Sequence, residues 1–195
     1  MRMALTEKFN MTIFEKKKLE RDMFRKLRDK SSLIQMGNVE KNVKIYVDSF
    51  VKEVKNINYI AIYWPLKNEV DIRSLKGKIP LALPRCNDKK ELLFSPWDEN
   101  PLTKDSEGIL SPNNSFALSH KEISLILVPC LSVDKNLIRL GYGGGYFDKL
   151  RSDKNWKDVP CIGVLTSNCV STNPLTRAEW DIPLSGFVTE KEIFV

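Results

Sequence analysis

An α/β fold, a single domain with a central, mostly parallel sheet and helices on both faces, is what this sequence predicts. Three observations carry that prediction. Apolar runs of strand length, at 57–64, 79–83, 123–128 and 159–165, alternate with stretches of helical periodicity. The order begins helix, helix, strand, helix, strand and then reaches a strand leading to glycines. And four of the nine glycines crowd into five residues, Gly141, Gly143, Gly144 and Gly145, just after the central strand 123–128 and before helix-forming 146–150. At 195 residues, 1–195 is read as one domain long enough to bury a proper core.

Taken in order, residues 15–30 lack Gly and Pro and read as a helix. Leu19, Met23 and Leu27 share one face, which is expected to pack. Lys17, Arg21, Arg25 and Arg28 share the almost opposite face. That cationic arc is either a solvated face or a set of anion ligands one turn apart. Residues 39–54 repeat Val39, Val43, Val47, Phe50, Val51 and Val54 at helical spacing, a core stripe. A strand over 57–64 closes at Pro65, 69–72 open a short helix, and 79–83 form a strand before Pro84. Residues 89–112 are polar and Pro-containing and read as surface loop around one short strand, 92–94. His120 is expected in a partly exposed turn. The apolar run 123–128 ends at Pro129, 159–165 is another strand, and 187–190 suggest a last one.

Composition narrows the function. Hydrophobic residues make up 42% and charged residues 29%, ordinary for a soluble globular chain. No run of ~18 apolar residues exists, so no membrane partner is expected. Residues 1–11 show neither an apolar core segment nor a cleavage site, and the four cysteines show no CxxC spacing. A cytoplasmic protein with reduced thiols is the expectation. One histidine gives little basis for a zinc site or a Ser-His-Asp or Cys-His centre. The net charge of +6 lies wholly in residues 1–55, which carry 14 Lys/Arg against 8 Asp/Glu, while the rest carries 17 of each. Local anion binding therefore suits the chain better than a basic protein throughout.

The segment 139–148, Arg-Leu-Gly-Tyr-Gly-Gly-Gly-Tyr-Phe-Asp, concentrates the chemistry. Glycines free the backbone for positive φ and remove side chains that would hold a ligand away. Strand, glycine loop and helix together aim N–H groups at phosphate. Neither GxxxxGK[ST] nor GxGxxG is present, and a tight turn that merely needs glycine remains open. Arg139 and Asp148 bracket the glycines with opposite charges. An arginine suits phosphate directly, whereas a carboxylate beside phosphate needs a cation between them, as Mg²⁺ provides. Trp64 and Glu69 lie past a strand's carboxyl end, where open α/β sheets place ligands. Glu69 is either a first-turn acid favouring the helix dipole or an acceptor for a flat amino-pyrimidinone edge, and Trp64 is either core or a stacking surface.

The segment 139–148, preceded by Val-Pro-Cys-Leu-Ser-Val-Asp at 128–134, resembles the signature of 5-formyltetrahydrofolate cyclo-ligases. The likeness extends over roughly 17–190, with Glu-Val-Asp at 69–71 and Leu-Pro-Arg at 83–85. It implies an ATP- and Mg²⁺-dependent ligase that converts 5-formyltetrahydrofolate to 5,10-methenyltetrahydrofolate through a phosphorylated formyl group. It implies that Lys17 and Arg21 match a Lys-x-x-x-Arg pair on ATP, with Lys16 and Lys18 leaving that register open. Arg139, Leu140, Gly141, Tyr142, Gly143, Gly144, Gly145, Tyr146 and Phe147 would form the nucleotide loop, with Lys17, Arg21 and Arg139 stabilising charge. Trp64, Glu69 and the stretch Tyr142 to Tyr146 would meet the folate, and Asp148 and Asp181 would hold Mg²⁺. Trp180 and Asn168 depart from the family's usual His and Gln. A monomer acting on a small molecule, with no nucleic-acid partner, is the expectation. The alternatives are a non-catalytic nucleotide- or anion-binding module and nucleic-acid binding through the cationic arc, which would show steep salt dependence.

Overall fold

The structure, a computed structural model, describes residues 11–113 and 116–195. Two long helices come first, each started by a side-chain cap. Helix α1 (Ile13–Arg28) is capped by Thr12 in a capping box with Glu15. Helix α2 (Leu33–Glu53) is capped by Ser32 with Gln35 in the reciprocal role. That cap starts α2 six residues before the stretch its valine stripe marks.

The strands are β1 (Tyr59–Ala61), β2 (Leu81–Cys86), β3 (Leu92–Pro96), β4 (Leu102–Lys104), β5 (Leu110–Pro112), β6 (Ile123–Pro129), β7 (Ser132–Asp134) and β8 (Arg139–Leu140). The short helices α3 (Tyr146–Ser152) and α4 (Lys154–Lys157) follow, then β9 (Cys161–Val164), β10 (Val170–Ser171), β11 (Gly186–Val188) and β12 (Ile193–Phe194). Seven strands form the main sheet in the order β12-β11-β9-β6-β1-β2-β3. The five inner strands run parallel, and the edge strands β3 and β12 run antiparallel to their neighbours. The expected α/β architecture is present.

Each face of the sheet has its own core. On one, Val39, Val43 and Val47 of α2 pack on Ile60, Leu125, Leu127 and Ile162. On the other, Phe24 of α1 and the flanks of α3 and α4 pack on Ala61, Ile126, Val128, Cys161 and Phe187. The alternation along β6 slips once, where its register with β1 shifts between Tyr59 and Ile60. Ser124 stands at that slip and accepts a hydrogen bond from the N–H of Asn58 at 3.0 Å.

Several expectations are corrected. Of the α1 face bearing Leu19, Met23 and Leu27, only Leu27 packs on the core, while Leu19 and Met23 do not. These side chains are 54% and 50% exposed, while Lys17 and Phe24 are buried. The helix lies with its cationic side down because that side meets the polar carbonyls of the glycine segment. Residues 69–72 form no helix. Asp71 accepts from the N–H and guanidinium of Arg73, and only a 3-10 turn, Arg73–Leu75, results. Residues 89–112 are more regular than expected, because β4 and β5 pair as an antiparallel hairpin. The glycine loop does not leave the central strand directly either. A hairpin of β7 and β8 intervenes, in a separate three-stranded sheet with β10. Asp134 turns it: its buried carboxylate accepts from the N–H groups of Asn136, Ile138 and Leu175.

Candidate functional site

Beyond the carboxyl ends of the parallel strands lies a cavity of about 300 Å³. Its floor comes from Pro129 at the end of β6, its near wall from Tyr63, Trp64 and Glu69 after β1, and its far wall from the glycine segment. This is where open α/β sheets accept ligands. Trp64, Glu69, Lys17, Arg21 and all of residues 139–148 line it, so the structure brings together every predicted site residue except Asp181.

The glycine segment hangs from β8 with its backbone bare. Gly143 (φ 110°) and Gly145 (φ 73°) occupy conformations that side-chain-bearing residues rarely adopt. A Cβ on Gly143 would sit 3.5 Å from the Arg21 guanidinium carbon. Among the described residues, the N–H groups of Gly143, Gly144 and Gly145 have no protein hydrogen-bond partner. Gly145 begins α3 without a side-chain cap, so the first amides of that helix also face outward.

Helix α1 holds this segment by its carbonyls. Arg21 donates through Nε to the Gly141 carbonyl at 3.0 Å. Arg25 donates to the Tyr142 carbonyl at 3.3 Å, and Arg28 to the Tyr142 hydroxyl at 2.6 Å. The cationic arc is therefore docked rather than solvated. Of the three consecutive lysines only Lys17 is buried, and its ammonium pairs with Asp181.

Arg139 lies across the cavity floor, donating to the Pro129 carbonyl at 3.2 Å and to Asp148 Oδ1 at 3.0 Å. Its guanidinium also sits 5.3 Å from the Phe147 ring centroid. Among the described residues, Asp148 Oδ2 makes no protein hydrogen bond. Asp181 is 5% exposed and differently placed: Oδ2 takes both the Lys17 ammonium and the Ala178 N–H. Among the described residues no three His, Cys, Asp or Glu side chains cluster as they would around a bound metal. One or two carboxylates with phosphate oxygens suffice for Mg²⁺. The free oxygen of Asp148, beside unpaired loop amides, fits that donor set.

Glu69 sits in the wall opposite. Oε2 accepts from the Leu66 N–H at 2.7 Å, and Oε1 is buried without a hydrogen-bond partner among the described residues. Burial pushes its pKa up, opposed by the Tyr142 hydroxyl beside it, the Leu66 N–H, and the cations Arg28 and Arg139. A dipole role is out of reach, since the nearest helical turn starts only at Arg73. The Trp64 ring is half-buried, edge-on to Trp97 at 6.1 Å and covered on one face by Arg73 at 4.4 Å.

Two acidic residues of the cavity were missed in the sequence, Asp105 and Glu107 on the β4–β5 hairpin. Asp105 braces the hairpin turn through the N–H groups of Glu107, Ile109 and Cys86. Glu107 accepts a hydrogen bond from the Tyr146 hydroxyl at 2.5 Å, which pushes the phenol up to about 12. No local pattern marks this pairing, which spans 39 residues. The departures at Asn168 and Trp180 have structural explanations or none. Asn168 donates to the Leu27 carbonyl and ties down the end of α1. Trp180 is 51% exposed and packs on Phe14.

Comparison with known proteins places this geometry. Residues 13–190 match the profile of the 5-formyltetrahydrofolate cyclo-ligase family. The chain is 26% identical over 181 residues to the 5-formyltetrahydrofolate cyclo-ligase of Haemophilus influenzae, covering 87% of this chain and 95% of that one. The solved 5,10-methenyltetrahydrofolate synthetase of Aquifex aeolicus superposes with a TM-score of 0.73 at 26% identity, covering 91% of each chain. The synthetase of Mycoplasma pneumoniae shares the fold, with a TM-score of 0.67 at 23% identity over 89% of this chain and 98% of that one.

Proposed function

Since this chain belongs to the 5-formyltetrahydrofolate cyclo-ligase family, we propose that its cavity carries out the ATP- and Mg²⁺-dependent closure of 5-formyltetrahydrofolate to 5,10-methenyltetrahydrofolate, releasing ADP and phosphate. The observation that carries the reading is one cavity with two unlike walls. Unpaired amides and Arg21 stand on one side, and a partnerless carboxylate oxygen on the other.

The amides of Gly143 to Gly145 and the first turn of α3 would cradle phosphate oxygens, with Arg21 and Arg139 neutralising them. Glu69 would accept from the amino-pyrimidinone edge of the folate, with Trp64 and Tyr142 packing beside its ring. The formyl oxygen then attacks the γ-phosphorus and expels ADP, leaving a phosphorylated imine. The neighbouring folate amine adds to that carbon, closes the five-membered ring and releases phosphate. The nucleophile belongs to the substrate, so the protein contributes positioning and charge, as phosphoryl transfer requires.

Mg²⁺ would neutralise charge on the phosphates, held by Asp148, with Asp181 as second carboxylate. The two Asp181 roles are coupled, because Lys17 neutralises that carboxylate here. Lys17 reaching a phosphate would release Asp181. We place the protein in the cytoplasm as a monomer. No described helix is long and apolar enough to cross a membrane, and the cysteines are buried free thiols. With Arg21, Arg25 and Arg28 engaged by the glycine segment and Lys17 by Asp181, a nucleic-acid partner is not expected.

Mixing the protein with ATP, Mg²⁺ and 5-formyltetrahydrofolate should give the methenyl product's absorbance. Nucleotide binding without that product would instead identify a non-catalytic anion-binding module. Asp148→Asn should abolish Mg²⁺-dependent turnover and leave thermal unfolding near that of the parent. Near-normal turnover at ordinary Mg²⁺ would remove Asp148 as a ligand.

A further inference from the structure

Arg28, like Arg25, belongs to the cationic arc but neither lines the main cavity nor takes part in the reading above, yet it is the most engaged of the four. Its Nη1 donates to the Tyr142 hydroxyl at 2.6 Å, and its guanidinium lies 5.2 Å from that ring's centroid. Its Nη2 lies 3.8 Å from Asp29 Oδ1, an oxygen that also accepts from Asn68 Nδ2 at 2.8 Å. Asn68 adjoins Glu69 and holds a positive φ of 64°. The end of α1 thus grips both the loop carrying Glu69 and the phenol facing it.

Glu69 and Tyr142 separate the main cavity from a second one of about 10 Å³, and Arg28 lines only the second. Arg28 Nε and Glu69 Oε1 are both buried without hydrogen-bond partners. Both residues border this small cavity, and Arg28, on the side away from the main cavity, is among the charges that favour the ionised form of Glu69 in a place where an unpaired buried polar group is costly.

We propose that Arg28 is a positioning residue for the folate half of the site: it fixes the Tyr142 phenol beside Glu69 and supplies the cation that faces the buried carboxylate from behind. This rests on the reading of Glu69 as the folate's acceptor. The groups facing Glu69 are few and identifiable: Arg28 from α1, Tyr142 and Arg139 from the glycine segment, and Tyr63 and Cys130 from the ends of β1 and β6. Of these, Arg28 and Arg139 bring positive charge, Lys17 and Arg21 lie elsewhere on the cavity lining, and Arg139 is shared with Asp148. Burial already pushes the Glu69 carboxyl up. Without Arg28 one of two opposing cations is gone and Tyr142 is released, so the carboxyl moves higher still. The acid limb of kcat/KM for the folate then moves to higher pH.

The test uses steady-state kinetics on Arg28→Met, Arg28→Gln, Arg28→Lys and Glu69→Gln. For Arg28→Met, KM for 5-formyltetrahydrofolate should rise roughly tenfold, the scale of a hydrogen bond to a charged group. KM for ATP should stay within about threefold, and the acid limb should move up by on the order of half a pH unit. Arg28→Lys, keeping the charge, should restore most of the acid limb. Arg28→Gln, keeping a donor, should shift it, and it carries the test if the Met variant does not fold. Unchanged folate KM and acid limb in Arg28→Gln, while Glu69→Gln raises folate KM, would overturn the role of Arg28 alone. Equal rises in both KM values would overturn it too, pointing to displacement of α1 as a whole. Glu69→Gln with unchanged folate KM would instead overturn the underlying reading of Glu69.

Discussion

Helices α1 and α2 are neighbours in sequence, similar in amphipathic design, and bury opposite kinds of face. Helix α2 buries its stripe: Val39 and Val43 are fully buried against the sheet. Helix α1 buries Lys17 and turns Arg21, Arg25 and Arg28 inward, leaving Leu19 and Met23 in the open. Each helix is matched to its partner surface. A sheet face offers only apolar side chains, so the apolar stripe settles there. The glycine segment offers carbonyl oxygens and no side chains, and burying guanidinium groups against it is favourable because each finds an acceptor. An apolar stripe identifies the packed face only when the partner is apolar too.

The largest expected effect comes from removing the match on α1. Arg21→Ala should lower kcat/KM for ATP by ~10²–10³, the usual loss for one well-placed electrostatic donor, with the fold retained. Assays at saturating folate would measure it. Activity within threefold of the parent would mean that the arc serves docking alone and takes no part in the site.

How far sequence reaches follows from the same contrast. The parallel sheet was legible because each inner strand is an apolar run closed by a breaker, as at Ile123 to Pro129. The glycine segment was legible because Gly143 and Gly145 need positive φ and leave a local mark. The pair Lys17 and Arg21 stood out only through its likeness to the family's Lys-x-x-x-Arg pair, and which face of α1 packs was not legible, because that depends on a partner about 120 residues away. Glu107 was invisible for the same reason. It belongs to a polar hairpin whose purpose is set by Tyr146, far along the chain. Glu69 was singled out as a candidate and lines the cavity, but its neighbour Arg28 was seen only as one more charge on an arc.

A second test lies on α2 and should separate stability from catalysis. Val43→Ala leaves a cavity beneath the sheet and should cost roughly 2 kcal/mol. For a chain of this length that is a fall in Tm of about 5 °C, read by calorimetry. Both KM values should hold, because α2 covers the sheet face opposite α1 and contributes no residue to the main cavity. A changed KM for either substrate would show that the two faces are coupled, and the comparison would lose its sharpness.

The smallest effect is the most discriminating. Leu19→Gln and Met23→Gln, made together, replace the apolar positions of α1 that a stripe rule would place in the core. If the cationic face is the buried one, the double variant should stay within about 0.5 kcal/mol of the parent per site, as exposed substitutions do, with unchanged turnover. Denaturant midpoints provide the measurement. A loss of several kcal/mol would mean that Leu19 and Met23 are covered in solution. The groove they share with Leu175 and Pro174 would then be packed. In that case α1 would bury both faces, as a helix between two layers does, and its difference from α2 would be one of degree.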